Sequence, residues 1–319
     1  MANDNGGILT VSIVIPSYKR PNDLERCLLA LTKQTAPAHE IIVVARPDDK
    51  DTWDIIKLFE GVLPIHGEEV KVPGVIEAEN VGIKAASGTI IAFIDDDAAP
   101  HIDWIERIKV TFTLSEPDVI GVGGRDIIHI DGNPITEQKI IVGRVSWFGR
   151  LQGNHEYGFG DARYVDTLKG VNMAYRANVL KKIGIDSRLL GTGAQMHWEL
   201  MLCAQVKRMG YRLLYDPSIT VDHYPGKRFG RDQRAPTDPK TVFENVHNET
   251  LGILTQLQTT VQRVVFICWA FMVGHRGAPG LLQVVRLKLY RYPSLMMFLA
   301  SQKARTIALR KYIDGKSHR

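Results

Sequence analysis

Three consecutive aspartates, Asp95, Asp96 and Asp97, stand directly behind the apolar run TIIAFI in the stretch TIIAFIDDDAAP. Neighbouring carboxylates disfavour each other's charged form, so a triplet at the tip of a buried strand needs a positive partner. Clustered carboxylates are the usual way to hold a hard divalent cation, Mn2+ or Mg2+. Such a cation can bridge phosphate oxygens and stabilise a departing diphosphate. The simpler alternative is a solvated loop in which one aspartate caps the helix that follows.

The elements that must position this triplet are legible as hydrophobic patterns. VSIVIP (11–16), EIIVVA (40–45) and TIIAFI are short β-branched runs, each read as a fully buried strand. Between them lie segments with helical spacing. In PNDLERCLLALTKQ the apolar positions are Leu24, Cys27, Leu28 and Leu31, with Asn22 or Asp23 as cap. WDIIKLF reads as a helix start, VKVPGV as a short extended piece, AENVGIKAAS as a helix stopped by Gly88, and HIDWIERIKVTF as a further helix. Strands apolar throughout and alternating with helices predict a parallel sheet covered on both faces. Ligands of such sheets bind at the carboxyl ends of the strands, where SYKR, RPDD and DDDAAP should converge. Beyond Gly121 the chain is richer in glycine, with short extended pieces, a short helix at 178–183, a clear helix in HWELMLCAQVKRMG, and extended YRLLYDP and ITVDHY. GVGG at 121–124 lacks the third glycine of a dinucleotide fingerprint and reads as a turn and close-packing feature.

Several motifs in order carry a resemblance to a known family. Pro16, Ser17 and Tyr18 end the first strand; Asn80, Gly82, Ala86 and Gly88 precede the third; Asp95 to Asp97 form a D-x-D element; KGVNMAYRANVLKKIG and HWELMLCAQVKRMGYRLLYDPSITVDH follow. Over roughly 11–223 the chain resembles the family 2 glycosyltransferases. The resemblance implies the GT-A fold, a Rossmann-like, mostly parallel sheet flanked by helices, here with a helical C-terminal extension. It also implies an inverting enzyme that takes its sugar from a nucleotide-diphosphate donor, a UDP-sugar first of all, with a Mn2+ or Mg2+ cofactor. Pro16, Ser17, Tyr18, Asn80, Asp95 and Asp96 would then bind the donor, and Asp97 with His223 would hold the metal, neutral imidazole being a suitable Mn2+ ligand. An inverting transfer needs a carboxylate to take the acceptor's proton. The family places it in an acidic pair at a helix start, where this chain has Trp198 and Glu199, so Glu199 is the expected base. Gly170, His197 and Trp198 are expected around the acceptor.

The chain departs from the family pattern at three places. Ala45 and Arg46 stand where an acid usually reads the base, which leaves Asp48 or Asp49 for that task and Arg46 for phosphate. Glu79 replaces an arginine before Asn80 and removes a phosphate contact. Trp198 replaces the first acid of the pair. These departures keep a rival open, a catalytically degenerate scaffold that binds sugar nucleotides within a polysaccharide-synthesis complex. A nucleotidyltransferase on the same kind of sheet would need a glycine-rich loop after the first strand, which SYKRPND is not.

The 319 residues are 45% hydrophobic, enough for a large core, and the net charge is +5. That charge is unevenly placed: from Thr250 onward eleven basic residues face a single acid, Asp314. The expected organisation is a polar tail over 1–10, a catalytic domain over 11–235 and a basic helical region over 236–319. The catalytic domain divides into a nucleotide-sugar half, 11–120, and an acceptor half, 121–235. VVFICWAFMVG is too short to span a bilayer and LLQVVRLKLYRYPSLMMFLA is interrupted by charge, so both read as interfacial helices for an anionic membrane surface. The alternative is a cap packed on the catalytic domain or on the partner in a homodimer. The basic residues alternate with aliphatics and offer no stacking platform, which argues against nucleic acid. KRFGRDQR (227–234) reads as a basic loop able to close over the diphosphate. Cys27, Cys203 and Cys268 are far apart in apolar contexts and read as core residues of a reducing compartment. With no basic, apolar leader in MANDNGGILT, the expected location is cytoplasmic, peripheral on the inner face of the plasma membrane. The acceptor is expected to be a hydroxyl of a glycan or lipid-linked glycan.

Overall fold

The structure is a computed structural model and describes residues 8–226, 238–289 and 294–317. Its first half alternates as the apolar runs predict: β1 (Val11–Ser17), α1 (Pro21–Leu31), β2 (Glu40–Ala45), α2 (Lys50–Phe59), β3 (Ile65–Glu69), α3 (Val75–Ala85) and β4 (Ile90–Ile94). β3, β2, β1 and β4 lie side by side in that order, all parallel. β1, β2 and β4 are buried along nearly their whole lengths, as strands covered on both faces must be. α1 buries Leu24, Cys27, Leu28 and Leu31, the residues its spacing selects.

After the aspartates the chain turns into β5 (Ala98–Pro100) and α4 (Trp104–Leu114). It continues through β6 (Val119–Ile130), β7 (Asn133–Pro134), β8 (Arg144–Val145), β9 (Leu151–Gln152), β10 (Arg163–Val165) and β11 (Asn172–Arg176). α5 (Ala177–Ile183), α6 (Trp198–Arg208) and β12 (Arg212–His223) complete the body built around the main sheet. The main sheet runs β10-β12-β6-β11-β4-β1-β2-β3, so both halves share it. β11 is antiparallel to both β4 and β6, while β12 is parallel to β6. β5 pairs antiparallel with β12 and sets His223 opposite Ala98, the residue after Asp97. That pairing brings together two segments more than a hundred residues apart in the chain.

Four local expectations are corrected. The extended piece before α3 is β3 at 65–69, with 70–74 irregular, because Pro73 and Gly74 break the chain before the helix. Gly88 does not stop α3, which ends at Ala85 with Ala86 as its C-cap; instead a Cβ on Gly88 would lie 2.7 Å from Ser12 Oγ and 2.9 Å from Ser12 N, so its bareness allows close approach to β1. α1 has no side-chain cap and starts with Pro21 in its first turn, where a missing N–H costs nothing; Asp23 pairs with Arg26 instead. Cys27 and Cys203 are buried as expected, but Cys268 is exposed.

Beyond the sheet come α7 (Pro239–Gln256), α8 (Thr260–Met272), α9 (Leu281–Leu289) and α10 (Ser294–Ser317). α7 packs between α6 and α10. No described helix is long and apolar enough to cross a membrane. Part of the tail's positive charge is engaged inside the fold: buried Arg305 donates to the carbonyls of Ala278 and Pro279, Arg263 to those of Leu254 and Gln258, and Lys311 to that of Arg188. The loop KRFGRDQR lies outside the described residues.

Candidate active site

The aspartate turn at the end of β4 divides its three carboxylates by environment. Asp96 is fully buried and held by its own chain: Ser17 Oγ donates to it at 2.8 Å and Arg20 Nε at 3.1 Å. Burial pushes its carboxyl up to about 8, with Arg20 opposing. Ser17 and Asp96, both expected to touch the donor, therefore serve to seat the turn. Asp97 Oδ2 accepts from Arg20 Nη1 at 2.9 Å and from the backbone N–H of Gly226 at 2.8 Å. Burial works to raise Asp97, but His223 and Arg20 outweigh it and hold the carboxyl at about 2. Asp95 is pushed up to about 6 by burial and by Asp97 beside it.

Asp97 Oδ1 is buried and has no hydrogen-bond partner among the described residues. It faces His223 Nε2 at 3.4 Å. One ligand atom each from Asp95, Asp97 and His223 lies within 4.8 Å of the others. An orphaned carboxylate oxygen beside a second carboxylate and an imidazole fits a Mn2+ or Mg2+ ion. Asp95, expected at the nucleotide, thus joins the two anticipated ligands. Behind His223, its Nδ1 lies 3.3 Å from Oδ2 of fully buried Asp126, which also takes Lys169 Nζ at 2.5 Å. Burial works against charge on His223, yet Asp126 and Asp97 raise it to about 9.

On the opposite side, the ends of β1 and β2 form a flat cationic face. The Arg46 guanidinium lies over the Tyr18 ring at 4.9 Å and pairs with Asp48 at 3.2 Å. Pro16, half-buried, ends the apolar part of β1 just before them. Asp49, the alternative base reader, is committed elsewhere: it caps α2 through Thr52 and accepts the backbone N–H of Lys19 at 2.5 Å. Asn80 does not face the donor either. Its amide donates to the Ile185 carbonyl at 3.1 Å and accepts the Ile185 N–H at 2.9 Å, stapling α3 to the turn after α5.

α6 carries Glu199, half-buried, in its first turn, where the helix dipole favours a carboxylate. Glu199 is near enough to Asp95 to raise that carboxyl. The loop before it is conformationally costly: Gln195 (φ 41°) and His197 (φ 71°) are both left-handed without being glycine. It is secured from two sides. Gln195 Oε1 accepts the Ile76 N–H at 3.0 Å and the Gly193 carbonyl accepts the Val75 N–H at 2.8 Å, satisfying the first donors of α3. Asn248 of α7 donates to the Met196 carbonyl at 3.1 Å. His197 is half-buried at the head of α6.

Trp198 and Gly170 are not arranged as an acceptor face. Trp198 is 6% exposed and meets Phe93 edge-on, ring centres 6.0 Å apart. A Cβ on Gly170 would lie 2.8 Å from Trp198 Cζ2, so the bare glycine admits the indole. Their packing fixes where α6 starts and so where Glu199 stands.

Sequence reasoning missed Arg20, Asp126 and Lys169. Arg20 had a signal, a cation in the loop that shares a sheet edge with three acids. Asp126 and Lys169 had none, because their partners are set by the pairing of β6 with β12 on one side and β11 on the other. Glu79, noted as a departure, is 1% exposed, and its Oε2 has no partner among the described residues. Burial, then Asp95, pushes its carboxyl well above the usual range.

Comparison with known proteins agrees with this architecture. The model of glycosyl transferase family 2 matches residues 12–184. Glycosyltransferase AglE of Haloferax volcanii is 28% identical over 225 residues, covering 69% of this chain and 68% of that protein. Among solved structures, S. aureus TarS 1-349 in complex with UDP-GlcNAc superposes with a TM-score of 0.61 at 18% identity, over 96% of this chain and 81% of that one. The mannosyltransferase PcManGT from Pyrobaculum calidifontis, in complex with GDP-Man and Mn2+, gives 0.54 at 16% identity, over 98% and 89%.

Proposed function

The chain belongs to glycosyl transferase family 2, and on that premise we propose that it is an inverting transferase that moves a sugar from a nucleotide-diphosphate donor, a UDP-sugar, to a hydroxyl of a glycan or lipid-linked acceptor. The observation that carries this reading is the Asp95–Asp97–His223 cluster at the carboxyl edge of the sheet, with Glu199 close enough to Asp95 to shift it. Structural neighbours hold UDP-GlcNAc in one case and GDP-Man with Mn2+ in the other.

Asp95, Asp97 and His223 would hold the divalent cation, which when bound offsets the charge of the departing diphosphate. Tyr18 and Arg46 form the platform on which the nucleotide lies, with Asp48 beside it. Glu199 takes the proton of the acceptor hydroxyl as its oxygen attacks the anomeric carbon from the side opposite the diphosphate, and configuration inverts. The buried pair Arg20–Asp96 and the Asp126–Lys169 pair keep these groups in place without touching substrate.

A membrane-bound acceptor is supported by the C-terminal helices. Exposed Val261, Val264, Cys268 and Phe271 recur at helical spacing on one face of α8, and Leu281, Leu282 and Val285 are exposed on α9, which packs beside it. Arg286 is exposed next to that α9 face. The proposed location is the cytoplasmic face of the membrane.

The test is a thermal-shift panel of UDP- and GDP-sugars with and without Mn2+, followed by donor turnover. A donor that raises the melting temperature only with Mn2+, and nucleoside diphosphate release that falls at least about a hundredfold in Glu199→Gln while binding survives, is the expected result. Pyrophosphate release, or release unaffected by Glu199→Gln, sinks the proposal.

A further inference from the structure

Glu79 is an acid that the reaction above leaves unused. α3 joins two parallel strands and so runs against them. Gly82 of α3 rests directly on Val14 in the middle of β1. Glu79 lies three residues earlier, about 4.5 Å nearer the carboxyl edge of the sheet. Its side chain is 1% exposed, and Oε2 is without a partner among the described residues. A buried polar group with no hydrogen bond costs on the order of 1–3 kcal/mol, and such groups in native folds are met by something at the site.

The surroundings narrow what that something is. The platform for the nucleotide, Tyr18 and Arg46, lies at the ends of β1 and β2. Glu79 also acts on Asp95 at the end of β4, and Asp95 in turn feels Glu199. The first turn of α3 is bonded to Gly193 and Gln195, in the loop that leads to Glu199. Glu79 therefore lies near the carboxyl edge, one helical turn from the residues bonded to the loop that carries the base and within electrostatic reach of Asp95. A phosphate oxygen only accepts: it can take the O–H of a protonated carboxyl group but gives nothing to an ionised one. A sugar hydroxyl both donates and accepts, and satisfies a carboxyl group in either protonation state.

Resting on the donor reading above, we propose that Glu79 hydrogen-bonds a ring hydroxyl of the donor's sugar and so selects among sugars that differ at that carbon. The exchange of arginine for glutamate before Asn80 moves a recognition contact from the phosphates to the sugar.

Calorimetric binding, in saturating Mn2+, of UDP, UDP-glucose and the monodeoxy analogues of UDP-glucose tests this, with GDP, GDP-mannose and its monodeoxy analogues in parallel, for wild type, Glu79→Leu and Glu79→Gln. Wild type should lose about tenfold in affinity for one monodeoxy analogue. Glu79→Leu should bind the parent sugar nucleotide about tenfold more weakly, show no further loss for that analogue, and keep its affinity for the bare nucleotide. Glu79→Gln should retain part of the discrimination. A raised melting temperature for Glu79→Leu would confirm that the variant folds, since an unpaired buried acid has been removed. The same deoxy penalty in wild type and Glu79→Leu, or an equal loss for bare nucleotide and sugar nucleotide, overturns the role of Glu79 alone. Wild-type protein that binds no sugar nucleotide overturns the donor reading and this role together.

Discussion

His223 Nδ1 lies 3.3 Å from Asp126 Oδ2, and that contact turns the other ring nitrogen, Nε2, toward Asp97 Oδ1 at 3.4 Å. A carboxylate behind a ligating imidazole fixes the orientation of the ring and raises its basicity. Asp126→Asn keeps the shape and removes that charge. Titration of Mn2+ against the protein, followed by the paramagnetic signal of the free ion, should show affinity about ten- to a hundredfold weaker in the variant. UDP binding at saturating Mn2+ should be unchanged. Equal Mn2+ affinity in the two proteins would mean that Asp126 serves only to neutralise Lys169.

Arg20 is the counter-charge for the buried turn, paired with Asp96 at 2.5 Å and with Asp97 at 2.9 Å. Removing one partner of a buried pair leaves the other uncompensated. Arg20→Met should cost about 3 kcal/mol in urea unfolding. Adding Asp97→Asn should recover at least half of that loss, because Asp97, held at about 2, is the charge left orphaned. A double variant as unstable as the sum of the singles would refute the coupling.

The contact between α7 and the segment after α8 is sensitive to pH through Glu249 and His275, which are 3.0 Å apart. Burial opposes both charges. Nevertheless His275 holds the Glu249 carboxyl down at about 2, and Glu249 raises His275 above its ordinary 6.5. Arg305 and His197 also face Glu249, and Arg150 acts on His275. The raised histidine contributes stability fully below 6.5 and loses it as the pH climbs through its folded value; the depressed glutamate contributes above 4.5 and loses it as the pH falls toward about 2. The pair is therefore strongest between those limits. His275→Gln should melt about 2 °C lower than wild type near pH 5.5, and the difference should shrink steadily in alkaline buffer. A gap that widens with pH would reverse the assignment.

The exposed apolar residues of α8 and α9 should carry the protein to anionic vesicles. Flotation with phosphatidylglycerol vesicles is expected to recover protein that neutral phosphatidylcholine vesicles do not, less so at high salt. Replacing Val264 and Val285, 56% and 67% exposed, by glutamate should abolish flotation while donor binding persists. Unchanged flotation would point to another face.

The sequence by itself determined the alternating β/α half of the fold, because strands covered on both sides are apolar throughout and the helices between them keep a clean 3.6-residue spacing. It also determined the presence of a carboxylate cluster at a strand end, a helix with Glu199 in its first turn and a histidine closing a late strand. Only the tertiary structure decided which carboxylate does what. Asp95, Asp96 and Asp97 are chemically identical in the sequence; they differ because Ser17 and Arg20 enclose Asp96 while β5–β12 pairing brings His223 to Asp97. The same reason separates Trp198 and Gly170, which pack on each other, from an expected acceptor face, and Asn80, bonded to Ile185, from an expected donor contact. A motif marks residue types at a spacing, whereas the partner of each polar atom depends on strand register and helix packing between segments remote in the chain. Glu79 is the reverse case: the sequence showed an acid out of place, and the fold showed it buried with an atom still unsatisfied.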